Sequence, residues 1–95
     1  MYFTYILHNL EKDKFYIGQT GDLENRIIEH NSSTKKTFTS KYRPWNLYWS
    51  IELANRASAM GLEKYLKGKN KEFFRRLPID EELNIYLVNR FRDTD

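Results

Sequence analysis

Residues 2–17 constrain the fold more than any other stretch. Tyr2 to Leu7 is rich in aromatic and β-branched side chains, and Lys14 to Ile17 repeats that character. Between them lie only His8 and the polar segment Asn9-Leu10-Glu11-Lys12-Asp13. Two strands joined by so short a connection pair antiparallel, as a hairpin. Gly18 ends the second strand, where backbone freedom or close approach is needed. A third strand is predicted from Asn46 to Leu53. There Leu47, Trp49 and Ile51 alternate with Tyr48, Ser50 and Glu52, which gives one buried face.

Helices fill the rest. Asp22 is placed to cap a helix running to about Asn31, with Leu23, Ile27 and Ile28 on its apolar side. Ser32 to Arg43 carries Ser, Thr and Lys without periodicity and reads as a mobile polar loop, punctuated by Pro44. Asn55 caps a helix through Lys67 whose inner stripe is Ala59, Leu62 and Leu66, and Gly68 stops it. Lys71 to Leu77 forms a short helix ended by Pro78. Asp80 opens a last helix with Leu83, Leu87 and Phe91 at core spacing. No internal repeat or long linker divides the chain. The expected architecture is α+β: a small three-stranded antiparallel sheet flanked by helices. Residues 1–95 form a single domain, with 78–95 as a C-terminal helical extension.

A chain of 95 residues suits one small domain. Seven Tyr and six Phe supply large side chains for its core. The lack of cysteine excludes disulfides and cysteine-based zinc sites and suits a reducing cytosol. No apolar run reaches membrane-spanning length and no signal-peptide pattern opens the chain, so the cytoplasm is the expected location. Sixteen basic against thirteen acidic residues leave +3. The basic residues cluster as Lys35, Lys36, Lys41 and Arg43, and again as Lys64, Lys67, Lys69, Lys71, Arg75 and Arg76. Such clusters can track a phosphate backbone, although charge alone favours a solvated face.

Five polar side chains stand out. Tyr5 and Tyr16 fall on adjacent strands. A phenol titrates near about pH 10 and is a poor base unaided, but a neighbouring His lets it orient or deprotonate water. Arg26 and His30 lie four apart on one helix and share a face. Arg can grip a phosphate in a fork and stabilise charge developing on it. Glu63 sits at the edge of the buried stripe of its helix. One carboxylate suffices for Mg2+ when water and phosphate oxygens complete the shell. Each residue taken singly has an ordinary role: packing tyrosines, an exposed helix face, a Glu63–Lys67 pair. Together they can hold a phosphate, one divalent cation and a water.

The strings that carry these residues resemble the GIY-YIG nuclease superfamily over about residues 2–77. Tyr16-Ile17-Gly18 is the YIG triplet as it stands, while Phe3-Thr4-Tyr5 keeps only the tyrosine of the GIY triplet. Arg26 falls on the family's catalytic arginine, His30 on a histidine many members carry one turn later, and Glu63 on the metal-binding glutamate of "NRASAMGLEKYLKG". The resemblance implies divalent-metal-dependent cleavage of DNA, with Mg2+ or Mn2+ on Glu63, and roles in DNA repair or recombination. Tyr5, Tyr16, Arg26, His30 and Glu63 are then the catalytic set. Lys35, Lys36, Lys41, Arg43, Lys64 and Lys67 are the expected backbone contacts. RNA offers the same phosphates. Many members join this unit to a separate DNA-binding domain, so a protein partner that supplies targeting is a further expectation. Asn70 and Asn84 are weaker candidates for an extra polar group. The alternative is a nucleic-acid-binding module that keeps the fold with little cleavage.

Overall fold

The computed structural model describes residues 1–32 and 36–92. Three strands form one antiparallel sheet: β1 (Tyr2–Asn9), β2 (Lys14–Thr20) and β3 (Asn46–Leu53). The order is β2-β1-β3, with the first strand in the centre. The helices are α1 (Leu23–Ser32), α2 (Phe38–Lys41), α3 (Arg56–Lys67), α4 (Lys71–Arg76) and α5 (Glu81–Phe91).

The pleat of β1 divides its side chains between two cores. Ile6 joins Ile17, Trp49, Leu53, Leu62, Leu66 and Leu87 in the larger one, which α3 and α5 cover. Tyr5 and Leu7 face the other way and pack with Trp45, Tyr16, Leu23 and Ile27 beneath α1. The sheet is therefore a middle layer. Its α1 side carries Tyr5 and Tyr16, and its α3 side carries the larger core.

The helix starts follow from their caps. The Asp22 carboxylate accepts from Asn25 N, Asn55 Oδ1 from Ser58 N, Asn70 Oδ1 from Phe73 N and Asp80 Oδ1 from Leu83 N. Each such cap is worth about 1 kcal/mol. Asn70 is thereby committed to starting α4. Asn84 is committed too, because it accepts from Trp49 Nε1 and donates to the carbonyls of Leu77 and Asp80. α5 buries Leu87 and Phe91 against the larger core.

Several expectations are corrected. β2 does not end at Gly18 but runs on to Thr20, with Gly18 paired to Tyr5, and Ile28 is exposed on α1. The segment read as a featureless loop contains α2, closed on itself by reciprocal bonds between Thr37 and Ser40. Its polarity conceals a helix because the stabilising contacts are aromatic and come from Trp45 and Tyr42 outside it. In β3 the alternation fails at one end. Ile6 pairs with Trp49 but Leu7 with Leu47, so the strand bulges at Tyr48. Leu47 is left exposed, and Tyr48 turns to pack edge-on against Phe15.

Candidate active site

Strand register brings the two phenols together. Tyr5 stands opposite Gly18 and Tyr16 opposite Leu7, so both project from one face, with ring centroids 6.5 Å apart. Gly18 is required by contact. A Cβ there would come within 2.6 Å of Tyr5 Cζ, and closer still to its hydroxyl. The glycine of the YIG triplet thus makes room for the ring of Tyr5.

The phenols do not occupy equivalent places. Tyr5 is fully buried and its hydroxyl lies 2.9 Å from His30 Nε2. Burial is the main reason its pKa is pushed up to about 12, against the opposing pull of Arg26. Such a hydroxyl keeps its proton and donates it in a hydrogen bond. Tyr16, in contrast, lines an open cavity of about 370 Å³ together with Arg26, Glu29, His30, Thr37, Phe38 and Thr39.

His30 is the buried residue of α1. Burial first, and the charge of Arg26 second, lower its pKa below the ordinary value. The ring is therefore neutral at pH 7. With Tyr5 donating, Nε2 is the acceptor and the ring proton sits on Nδ1. The linkage sign follows. Between its lowered folded value and the unfolded value of roughly 6.5, the unfolded chain binds the extra proton. Stability contributed by His30 is complete above that window and is lost as pH falls through it. The thermal midpoint should drop as the pH falls below about 7, and the drop should shrink in His30→Gln. An equal drop in both proteins would contradict the assignment.

Glu63 stands apart from the cavity lining. Its carboxylate accepts from Lys67 Nζ at 2.8 Å, with the side chains 22% and 58% exposed respectively. Its charge is nevertheless among the causes that raise the Tyr5 pKa, and Tyr16 is among those that raise the Lys67 pKa. The edge of α3 that carries this pair is therefore within electrostatic reach of both phenols, next to the outer strand β2. Among the described residues no three His, Cys, Asp or Glu side chains gather as a metal cage. The donor set suits a hard ion that keeps most of its waters, as Mg2+ does, and does not suit zinc. A partly exposed ion pair is worth about 0–1 kcal/mol, so Lys67 is a weak competitor for a divalent cation.

The basic residues expected along a phosphate backbone divide. Lys35 lies outside the described residues. Lys36 and Lys64 are exposed. Lys41 and Lys14 both sit over the Tyr42 ring, 5.5 and 5.3 Å from its centroid. Arg43 Nε donates to the carbonyl of His30, so it braces the end of α1. Farther along, Arg75 and Lys71 meet Asp13, and Arg76 meets Asp80. Much of that second cluster is internally paired.

Sequence reasoning passed over Glu29, Thr37, Phe38 and Thr39 on the cavity wall. It also passed over Asn31, which brackets the Trp45 backbone by accepting from its N–H and donating to its carbonyl. Glu29 was visible as the neighbour of His30. Phe38 was visible as a lone aromatic in a Lys/Thr/Ser segment, a pattern that no periodicity test registers.

A family model described as the GIY-YIG catalytic domain matches residues 1–76. The UPF0213 protein YsiG of Lactococcus lactis subsp. lactis is 40% identical over 68 residues, covering 72% of this chain and 64% of that protein. A UPF0213 protein of Lactococcus lactis subsp. cremoris is 35% identical over 68 residues, covering 72% of this chain and 68% of that one. The chain thus spans less than two-thirds of YsiG. A UPF0213 protein from Bacillus halodurans, solved by solution NMR, matches with a TM-score of 0.52 at 22% identity, over 99% of this chain and 100% of that one. That last likeness shows a shared three-stranded α+β fold.

Proposed function

The chain belongs to the GIY-YIG catalytic domain family, and on that footing we propose that it is an endonuclease that hydrolyses a DNA phosphodiester with one divalent metal ion. The observation that carries the reading is the cavity where Arg26, Tyr16 and His30 meet, with Tyr5 bonded to His30. Arg26 holds the scissile phosphate and stabilises the charge that grows on it. The Tyr16 hydroxyl orients the attacking water. Uncharged His30 accepts the Tyr5 O–H at Nε2 and so orients that phenol, and it takes a proton from the site only when that hydrogen bond is exchanged.

GIY-YIG nucleases are generally divalent-metal dependent. Glu63 would hold the ion, which supplies Lewis-acid stabilisation of phosphate oxygens and of the leaving group. Lys36 and Lys41 on the cavity side, and Lys64 beside Glu63, are proposed to contact backbone phosphates without reading bases. DNA as substrate makes the cytoplasm the proposed site of action; no helix among the described residues is long and apolar enough to cross a membrane. A repair or recombination role and a targeting partner remain parts of this proposal.

A second reading has one observation in its favour. Glu63 is off the cavity lining and paired with Lys67, which also fits a binding module with little cleavage. Incubation with supercoiled plasmid and Mg2+ or Mn2+ separates the two. The nuclease reading expects nicked circles that disappear with a chelator. DNA binding without nicking in either metal would establish the second reading.

A further inference from the structure

We propose that Phe38 is a stacking platform for an unpaired base, so that the substrate has an unstacked nucleotide next to the scissile phosphate. The inference deepens the nuclease reading and rests on it for the position of that phosphate. Single exposed apolar side chains are common on protein surfaces and mean little by themselves. Leu10 and Ile79 are more exposed, at 80% and 85%, yet neither lines the cavity that holds Arg26 and Tyr16. Phe38 is 48% exposed and forms part of the wall that also carries Arg26 and Tyr16.

Three other rings pack against its ring. The centroids of Tyr42, Trp45 and Tyr16 lie 4.8, 6.0 and 6.5 Å away, and the Tyr16 plane is inclined by only 27°. Trp45 is itself anchored by its indole N–H to the Thr39 carbonyl and by its backbone to Asn31. Four rings thus form a supported group in which Phe38 remains 48% exposed. A supported aromatic face offers stacking to any base, because every base has a π-face.

Cations flank the same wall. Lys14 and Lys41 share the Tyr42 ring, and among the described residues neither is paired with a carboxylate. Two like charges held beside one ring without a counter-ion suit neighbouring phosphates of a strand. Phe38 on the cavity wall, Tyr42 against it and the two lysines over Tyr42 thus set an aromatic face beside cationic charge, as a single-strand groove does. A paired base has both faces occupied by its neighbours, so it cannot use the platform without unstacking.

Binding in the absence of metal tests this, by fluorescence anisotropy with a single-stranded oligonucleotide and its duplex. Phe38→Ala should weaken single-strand binding about tenfold and leave duplex binding within about twofold. Phe38→Tyr should remain near wild type, which guards against a folding defect in the alanine variant. A 2-aminopurine base in the single strand should be quenched by wild type and by Phe38→Tyr, and not by Phe38→Ala. Unchanged single-strand affinity in Phe38→Ala, or equal loss on both ligands, would overturn the inference. Plasmid nicking by wild type together with that negative result would leave the nuclease reading standing. Phe38-dependent single-strand binding without nicking in any metal would uphold the stacking site and defeat the nuclease reading.

Discussion

Glu63→Gln is expected to abolish metal-dependent nicking while the protein folds and binds DNA much as before. Gln keeps the length and hydrogen-bonding shape of the side chain and removes the anionic oxygen that a hard cation prefers. Losing metal stabilisation worth several kcal/mol corresponds to roughly a 100- to 1,000-fold slower reaction. The fold should tolerate the change. Glu63 is only partly buried and its partner Lys67 is 58% exposed, so the pair contributes no more than about 1 kcal/mol. Its removal frees Lys67, which should hold or slightly strengthen DNA affinity. Partial recovery of nicking at high Mg2+ or Mn2+ would match a weakened metal site. Nicking rates and thermal midpoints measured on both proteins check this. Full activity in Glu63→Gln would make the carboxylate a helix-surface residue and move the metal elsewhere.

Arg26→Ala should slow nicking by a similar factor, roughly 100- to 1,000-fold, because a positioned donor to developing charge is lost. Raising the metal concentration should not restore it, and that difference separates the two defects. A second effect lies at the Tyr5–His30 pair. Arg26 is the chief influence opposing the raised pKa of that phenol, and its charge is one reason His30 stays neutral. Its removal should therefore raise the His30 pKa and shift the acid limb of any residual activity toward higher pH. Residual activity with an unshifted limb would mean that Arg26 acts on the phosphate alone. Arg26 is exposed on α1 and outside both cores, so the variant should melt close to wild type.

The elements were legible where the signal is local. The hairpin, the Asn55-capped helix and its Ala59, Leu62 and Leu66 stripe follow from periodicity and capping, which act within a few residues. The strand Asn46–Leu53 has the predicted bounds. Its facing does not, because the bulge at Tyr48 is set by pairing with β1 and by the Phe15 ring, both remote in sequence. α2 was illegible for the same reason: four residues lack a period, and Trp45 and Tyr42 supply what holds them.

The candidate site shows the same division. Tyr5, Tyr16, Arg26 and His30 are identifiable as residues, and the spacing of Arg26 and His30 gives their common face. That Tyr5 is sealed beneath His30 while Tyr16 meets the cavity depends on the register opposite Gly18. The displacement of Glu63 from the cavity lining depends on how α3 crosses β2. Neither is written in the spacing of the motif.

The central claim is that the cavity bounded by Tyr16, Arg26 and His30 is where a phosphodiester is cut. Its most direct test is the initial rate of plasmid nicking with Mg2+, measured side by side for wild type and Arg26→Ala at matched folded concentration. The account predicts nicking by wild type, abolished by a chelator, and a variant slower by roughly 100-fold or more that extra metal does not rescue. Equal rates for the two proteins would contradict it.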